Sequence, residues 1–205
     1  MIPDYWRKAT KTLSKNDAIL KVLIDSESHL DIKLKTDPFI TLARAIVGQQ
    51  ISVKAAETIW GRVVSTTGNP EPSVIRKISE GKLKKAGLSS RKIEYLKDLG
   101  KKFESNKFDF KSWKNEEDAV IIKHLTSVKG IGIWTAEMFL MFYMGRPDVF
   151  PKADIGLQRA MSIHYKNREP ITKQEMETIG NKWAPWRTVA TWYLWRSIDP
   201  IPVEY

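Results

Sequence analysis

The sequence predicts an all-α fold. Apolar residues recur at the 3.6-residue period, capping residues stand just ahead of those runs, and alternating strand patterns are scarce. Asp37 and Pro38 open one run, and Phe39, Leu42, Ala43 and Ile46 form a single stripe along it. Gly48–Gln49–Gln50 interrupts that stripe. Ser52 opens the next helix, with Ala55, Ile59 and Val63 in register. The stretch 67–72, rich in Gly, Asn and Pro, reads as a loop. Ser90 precedes a helix with Ile93, Leu96, Leu99 and Phe103 inward, and Asn115 is expected to begin one carrying Val120, Ile121 and Leu125. Thr172 and Glu175 have the spacing of a capping box. Pro185 is expected to start the last helix, which runs to about Ser197. No internal repeat or low-complexity tract is present.

Composition narrows the chemistry. The chain has 205 residues, 42% of them apolar, enough for a sizeable core in one domain or two closely packed lobes. Lysine plus arginine total 34 against 24 acids, a net charge of +10. A polyanion partner fits that balance, because clustered cations gain from releasing phosphate counterions. Charge alone does not separate DNA from RNA or an acidic membrane. Cysteine is absent, which excludes disulfides, cysteine nucleophiles, iron–sulfur clusters and thiolate zinc. The three histidines, His29, His124 and His164, lie far apart without ligand spacing, so a zinc or non-haem iron site is not expected. No apolar run approaches the ~18 residues of a membrane span. The start Met1–Ile2–Pro3–Asp4–Tyr5 lacks signal-peptide character. The chain is therefore expected not to be secreted, and to act in the cytoplasm of a prokaryote or the nucleus of a eukaryote.

The stretch with most chemical content is Val128–Lys129–Gly130–Ile131–Gly132–Ile133–Trp134–Thr135–Ala136. Two glycines two apart are expected to make a hairpin too tight for a Cβ. An apolar helical run follows, through Ala136, Met138, Phe139, Leu140 and Phe142. Amides exposed where that helix begins favour a phosphate, and the hairpin carbonyls can hold a monovalent cation. An ordinary helix–helix turn also fits a lone Gly–x–Gly. Beyond it an isolated acid, Asp154, stands after Pro151 and before the helical run 155–161. Aspartate is common as a helix N-cap, and a helix N-terminus favours an ionised carboxylate.

At this point the chain resembles a known family. Residues 125–136 look like the helix–hairpin–helix of base-excision DNA glycosylases. Val149–Phe150–Pro151–Lys152–Ala153–Asp154–Ile155–Gly156–Leu157–Gln158–Arg159 resembles the Gly/Pro-rich loop and aspartate that follow it. Further matches are residues 45–56 around Gly48–Gln49–Gln50–Ile51–Ser52, Gly87–Leu88–Ser89–Ser90–Arg91–Lys92, and Trp183–Ala184–Pro185–Trp186–Arg187. They occur in the family's order from about residue 38 to 196 and are similar to the DNA-3-methyladenine glycosylase II branch. The first 35 residues match less clearly.

The resemblance implies two helical lobes with a cleft between them: residues 36–148 with the wedge loop and hairpin, and residues 149–205 packed with the segment 1–35. It places the catalytic aspartate on Asp154. It places Trp134 and Trp195 against the damaged base; Met138, one turn beyond Trp134, is spaced to line the same wall, although the family often has an aromatic residue there. It makes the loop of Gln49, Gln50 and Ile51 the wedge that probes the duplex, with Gln50 inserted when the base is extruded. Gly130, Gly132 and Thr135 would bind phosphate through their backbone, and the carbonyls of Thr126, Val128 and Ile131 would hold any Na+ or K+. Strand-nicking members carry a Schiff-base lysine at the position of Trp134, and Lys129, inside the hairpin, is a poor substitute. The implied activity is monofunctional: hydrolysis of the N-glycosidic bond of 3-methyladenine or 7-methylguanine in duplex DNA, leaving an abasic site. The implied agent is a monomer without organic cofactor or membrane partner. Most of the eight tryptophans, including Trp60 and Trp113, are expected in the core, with Tyr193 and Trp186 as scaffold. Two alternatives remain: a helix–hairpin–helix module that binds DNA without catalysis, and a glycosylase for oxidised or mismatched bases. The second would favour a lysine at position 134 or a cysteine-ligated cluster, and the sequence has neither.

Overall fold

The computed structural model describes residues 1–29, 31–105 and 108–199. Every regular element among them is helical. In chain order they are α1 (Trp6–Asn16), α2 (Ala18–Ser26), α3 (Pro38–Gly48), α4 (Val53–Thr67), α5 (Pro72–Lys77), α6 (Glu80–Lys85), α7 (Ser90–Glu104), α8 (Asp118–Thr126), α9 (Ile133–Phe142), α10 (Ile155–Tyr165), α11 (Lys173–Gly180) and α12 (Arg187–Arg196). Short 3-10 turns lie at Ser112–Lys114 and Asn181–Trp183. No helix among the described residues is long and apolar enough to cross a membrane.

Local chemistry explains most boundaries. Asp37 accepts the Ile40 amide at 2.8 Å with Pro38 behind it, and Ser52 accepts the Ala55 amide. Thr172 and Glu175 close the expected capping box. Three starts differ from the sequence reading. The α7 cap is Ser89, whose hydroxyl takes the Lys92 amide, so Ser90 is already helical. Asn115 ends a 3-10 turn and α8 begins at Asp118, which leaves Val120 on the solvent side while Ile121 and Leu125 are buried. The last helix begins at Arg187 rather than Pro185, with Trp186 as its N-cap.

The described residues divide into two compact units, one of Met1–Leu34 with the chain from Leu140 to Asp199, the other of Lys35–Phe139. The sequence reading set the second boundary after residue 148. Residues 140–148 group instead with α12, for a visible reason. Thr188 donates its hydroxyl to the Arg146 carbonyl at 2.7 Å and its amide to the Pro147 carbonyl at 3.1 Å. Arg187 grips Asp148 through Nε and Nη2 at 2.8 and 2.7 Å.

In the first unit, Trp6 packs edge-on to Trp192 at 5.4 Å and beside Tyr193 at 6.0 Å. Asp17 caps α2 through the amides of Ile19 and Leu20 and also accepts Tyr165 Oη at 2.9 Å and Trp183 Nε1 at 3.0 Å. One carboxylate thus ties the α1–α2 corner to α10 and to the turn before α12. The second unit is built around α7, which packs on α3, α5 and α6. Its aromatic cluster joins Phe39, Phe103, Phe108, Phe110 and Trp113 at centroid spacings of 4.9–5.4 Å between neighbours. Trp60 and Trp113 are core, as expected.

Candidate active site

Asp154 is the N-cap of α10. Its Oδ1 accepts the Leu157 amide at 2.6 Å and the Trp195 indole N–H at 2.8 Å. Trp195 belongs to the last turn of α12 and lies flat against Phe142, with centroids 6.3 Å apart and planes within 15°. Gly156 allows the approach. A Cβ there would stand 3.1 Å from Asp154 Oδ1 and 3.4 Å from Trp195 Cδ1. Two of the expected site residues, Asp154 and Trp195, are therefore in direct contact within one unit, and the contact is a charge-assisted hydrogen bond rather than a shared stacking wall.

The second unit holds the expected DNA-contacting loops. The hairpin between α8 and α9 turns through Val128, whose carbonyl accepts the Ile131 amide at 3.1 Å. The first helical bond of α9 runs from the Ala136 amide to the Gly132 carbonyl, so the amides of residues 133–135 stand ahead of the ladder. Thr135, in the first turn of α9, is buried.

The two hairpin glycines are not equivalent. Gly130 has φ of +80°, and a Cβ there would fall 2.1 Å from the Tyr95 ring. Gly132 carries no such requirement, since a Cβ at that position would meet nothing within 4 Å. The expectation that the turn is too tight for a side chain at both positions is thus corrected. Gly130 is fixed by the fold, and Gly132 leaves open space.

Of the expected base-facing residues, Met138 is 2% exposed and offers no stacking surface, because its position on α9 turns it into the core. Trp134 lines a cavity of about 240 Å³ with Gln50, Ile51, Arg44 and Trp60. Arg44 pairs with Glu57 at the cavity and lies over the Trp60 ring at 5.8 Å. In the loop after α3, Gln50 is exposed with φ of +58°, and Ile51 is 37% exposed. Gln49 differs from both. Its Nε2 donates to the Gly130 carbonyl at 2.8 Å, so this side chain is committed to the protein and is not an inserting residue.

Sequence reasoning gave no role to the residues that hold these loops. On α7, Asp98 accepts the Lys129 amide at 2.9 Å, Glu94 accepts Lys129 Nζ at 2.5 Å, and Lys102 donates to the Ser127 carbonyl at 2.8 Å. Lys92 donates to the Val47 carbonyl at 2.7 Å, near the end of α3. The hydrogen bond that Lys129 donates to Glu94 raises its ammonium above its ordinary range, while burial lowers Lys92. The i, i+4 spacing of Glu94 and Asp98, with Lys102 a further four residues on, was the available signal. Among the described residues, no group of three His, Asp or Glu side chains is placed to hold a metal ion.

Helices α8 and α9 with the turn between them define a helix–hairpin–helix protein. The chain belongs to the HhH-GPD superfamily of base excision DNA repair proteins, whose family model matches residues 43–185. It is 36% identical over 172 residues to DNA-3-methyladenine glycosylase 1 of Schizosaccharomyces pombe, covering 80% of this chain and 73% of that one. The fold is similar to a DNA-3-methyladenine glycosidase from Bacillus halodurans, with TM-score 0.84, 39% identity and coverage of 93% and 89%. It is also similar to the S. pombe Mag1 glycosylase solved with abasic DNA, with TM-score 0.83, 30% identity and coverage of 97% and 99%. The chain spans 61–73% of the length of the curated relatives from Bacillus subtilis and the two yeasts that it matches.

Proposed function

We propose that this protein hydrolyses the N-glycosidic bond of 3-methyladenine and 7-methylguanine in duplex DNA and leaves an abasic site in an uncut strand. The observation that carries the reading is the Asp154 carboxylate at the head of α10, with Oδ1 held by two N–H donors. The relatives named as DNA-3-methyladenine glycosylases support the substrate class.

Cleavage of this bond passes through an oxocarbenium-like sugar. A carboxylate fixed beside the developing cation stabilises it, an effect of about 3 kcal/mol for one well-placed group. Water forms the new bond to the anomeric carbon and gives up a proton. The electrons of the broken bond go to the base. An alkylated purine already carries positive charge and leaves as a neutral molecule, so one carboxylate suffices without a strong general acid. The indole of Trp134 has no amine to form a Schiff base, which supports an uncut strand.

The base must leave the stack to reach Asp154. Gln50 and Ile51, exposed in the loop after α3, are the proposed wedge. The backbone of 130–135 is the proposed phosphate clamp. The carbonyls of Thr126, Val128 and Ile131 are uncharged donors, a set suited to Na+ or K+ rather than to a divalent ion. The partner is duplex DNA, in keeping with the net charge of +10, and the protein acts as a monomer.

The test is to incubate methylated duplex with the purified protein and identify released bases by mass spectrometry. Asp154→Asn is expected to slow release at least ~100-fold while binding of an abasic duplex persists. Absence of released base from the wild type removes the assignment. Strand breaks with a borohydride-trapped adduct remove its monofunctional part.

A further inference from the structure

The wedge loop and the hairpin are separated by 81 residues of chain, yet they are joined by a direct bond. Gln49 Nε2 donates to the Gly130 carbonyl at 2.8 Å. Both ends of that bond are constrained. Gly130 is held in the left-handed region at φ +80° above the Tyr95 ring. The Lys129 amide beside it is held by Asp98. On the other side, Lys92 grips the Val47 carbonyl and the Ile51 amide reaches back to the Gly48 carbonyl at 3.4 Å. Helix α7 therefore carries both loops, and the Gln49 amide closes the frame between them.

The residue next to this link is strained. Gln50 has φ of +58°, a region disfavoured roughly tenfold for a residue with a Cβ. Such a conformation persists only where its surroundings over-determine it. The flanking ties, Gln49 to Gly130 and Ile51 to Gly48, supply that determination.

We infer that Gln49 is a positioning residue that sets the wedge loop in register with the hairpin, so that a duplex whose phosphate is clasped at 130–135 meets Gln50 at a fixed spacing. The inference rests on the proposed function and adds to it a specific device for duplex DNA. Without the bond, the loop relaxes to an ordinary backbone conformation. The wedge then no longer follows the clamp. A single strand needs no wedge, so the device acts on duplex substrates alone.

The experiment compares Gln49→Leu and Gln49→Glu with the wild type on 7-methylguanine in a duplex and in a single strand. Glu keeps the length and loses the donor at neutral pH. Each variant is expected to lower the ratio of duplex to single-strand excision about tenfold, the upper end for one lost hydrogen bond. Gln49→His, which retains an N–H at similar reach, is expected to lose less than Gln49→Leu. A parallel binding assay should show the preference for an abasic-analogue duplex over undamaged duplex falling in step. An unchanged ratio, or equal losses on both substrates, overturns the inference. Wild type that releases no base from either substrate overturns the proposed function instead, and the binding assay then still decides whether Gln49 sets duplex recognition.

Discussion

The indole N–H of Trp195 lies 2.8 Å from Asp154 Oδ1, the same oxygen that accepts the Leu157 amide. A carboxylate that can rotate spends part of its time misaligned. Two donors from different elements, one from α10 backbone and one from the end of α12, fix the plane of this one. Trp195→Phe keeps an aromatic face against Phe142 and deletes the donor. Single-turnover base release is expected to slow by about tenfold or more, the range for a hydrogen bond to a charged group. Stacking alone as the role of Trp195 predicts near-wild-type rates for the phenylalanine variant, so the measurement separates the two.

Gly156 sets how closely those groups meet. A methyl group there would press on Asp154 Oδ1 at 3.1 Å and on the Trp195 ring at 3.4 Å. Gly156 lies half-buried in the first turn of α10, where the alanine of Gly156→Ala is the better helix former by roughly 0.5–1 kcal/mol. The expected outcome is a protein with an equal or higher melting temperature and slower excision. A faster or unchanged rate would show that the carboxylate tolerates displacement.

The hairpin offers a paired test. Gly130→Ala combines a φ of +80° with a Cβ 2.1 Å from the Tyr95 ring. Loss of about 2–4 kcal/mol in urea unfolding is expected, since strain and overpacking add. Gly132→Ala meets nothing within 4 Å and should stay within about 0.5 kcal/mol of the wild type. Weaker duplex binding by a stable Gly132→Ala protein would show that this position is kept clear for DNA.

Much of this was legible because its signals are local. The helix caps at Asp37, Ser52, Asp154 and Thr172 are single-residue chemistry read within four positions, and the structure places all four as N-caps. The helix start at Asn115 was misread because a 3-10 turn uses the same residue types as a cap. Met138 was assigned to a wall from its spacing to Trp134, but α9 is apolar almost all round, so periodicity could not say which face was open. The supports of the hairpin, Glu94, Asp98 and Lys102, show in the sequence only as charges spaced four apart on one helix. Their partners lie 25–35 residues away, and exposed charges on a helix look alike until the fold pairs them. Gln49 and Gln50 are identical in the sequence. Only the fold shows that one is bonded inward and the other exposed.

Asp17 concentrates four hydrogen bonds on one carboxylate: two amides of α2, the Tyr165 hydroxyl and the Trp183 indole. Burial, reinforced by that carboxylate, raises the Tyr165 hydroxyl far above its ordinary range. Asp17→Ala removes a cap and strands two donors, one on the fully buried Trp183. A loss of about 3 kcal/mol is expected by urea denaturation. Tyr165→Phe removes a single bond and its donor together, and should cost about 1 kcal/mol.

Glu175 supplies a pH dependence whose sign can be worked out. Lys166 Nζ donates to Oε1 at 2.6 Å, and the amide and hydroxyl of Thr172 reach Oε2 at 2.9 and 3.0 Å. Led by the Lys166 hydrogen bond, these hold the carboxyl at about 2, below its ordinary value of 4.5. The folded state therefore binds this proton less readily than the unfolded state. Its contribution is fully present above pH 4.5 and is lost as the pH falls toward 2. The Glu175 side chain is 37% exposed, so salt should weaken the effect. Glu175→Gln can still return a capping bond to Thr172 but has no charge to titrate. The difference in melting temperature between wild type and Glu175→Gln should be largest at pH 5–6 and should shrink between pH 4.5 and 2. A difference that stays constant through that window would mean that the ion pair with Lys166 contributes nothing to the folded state.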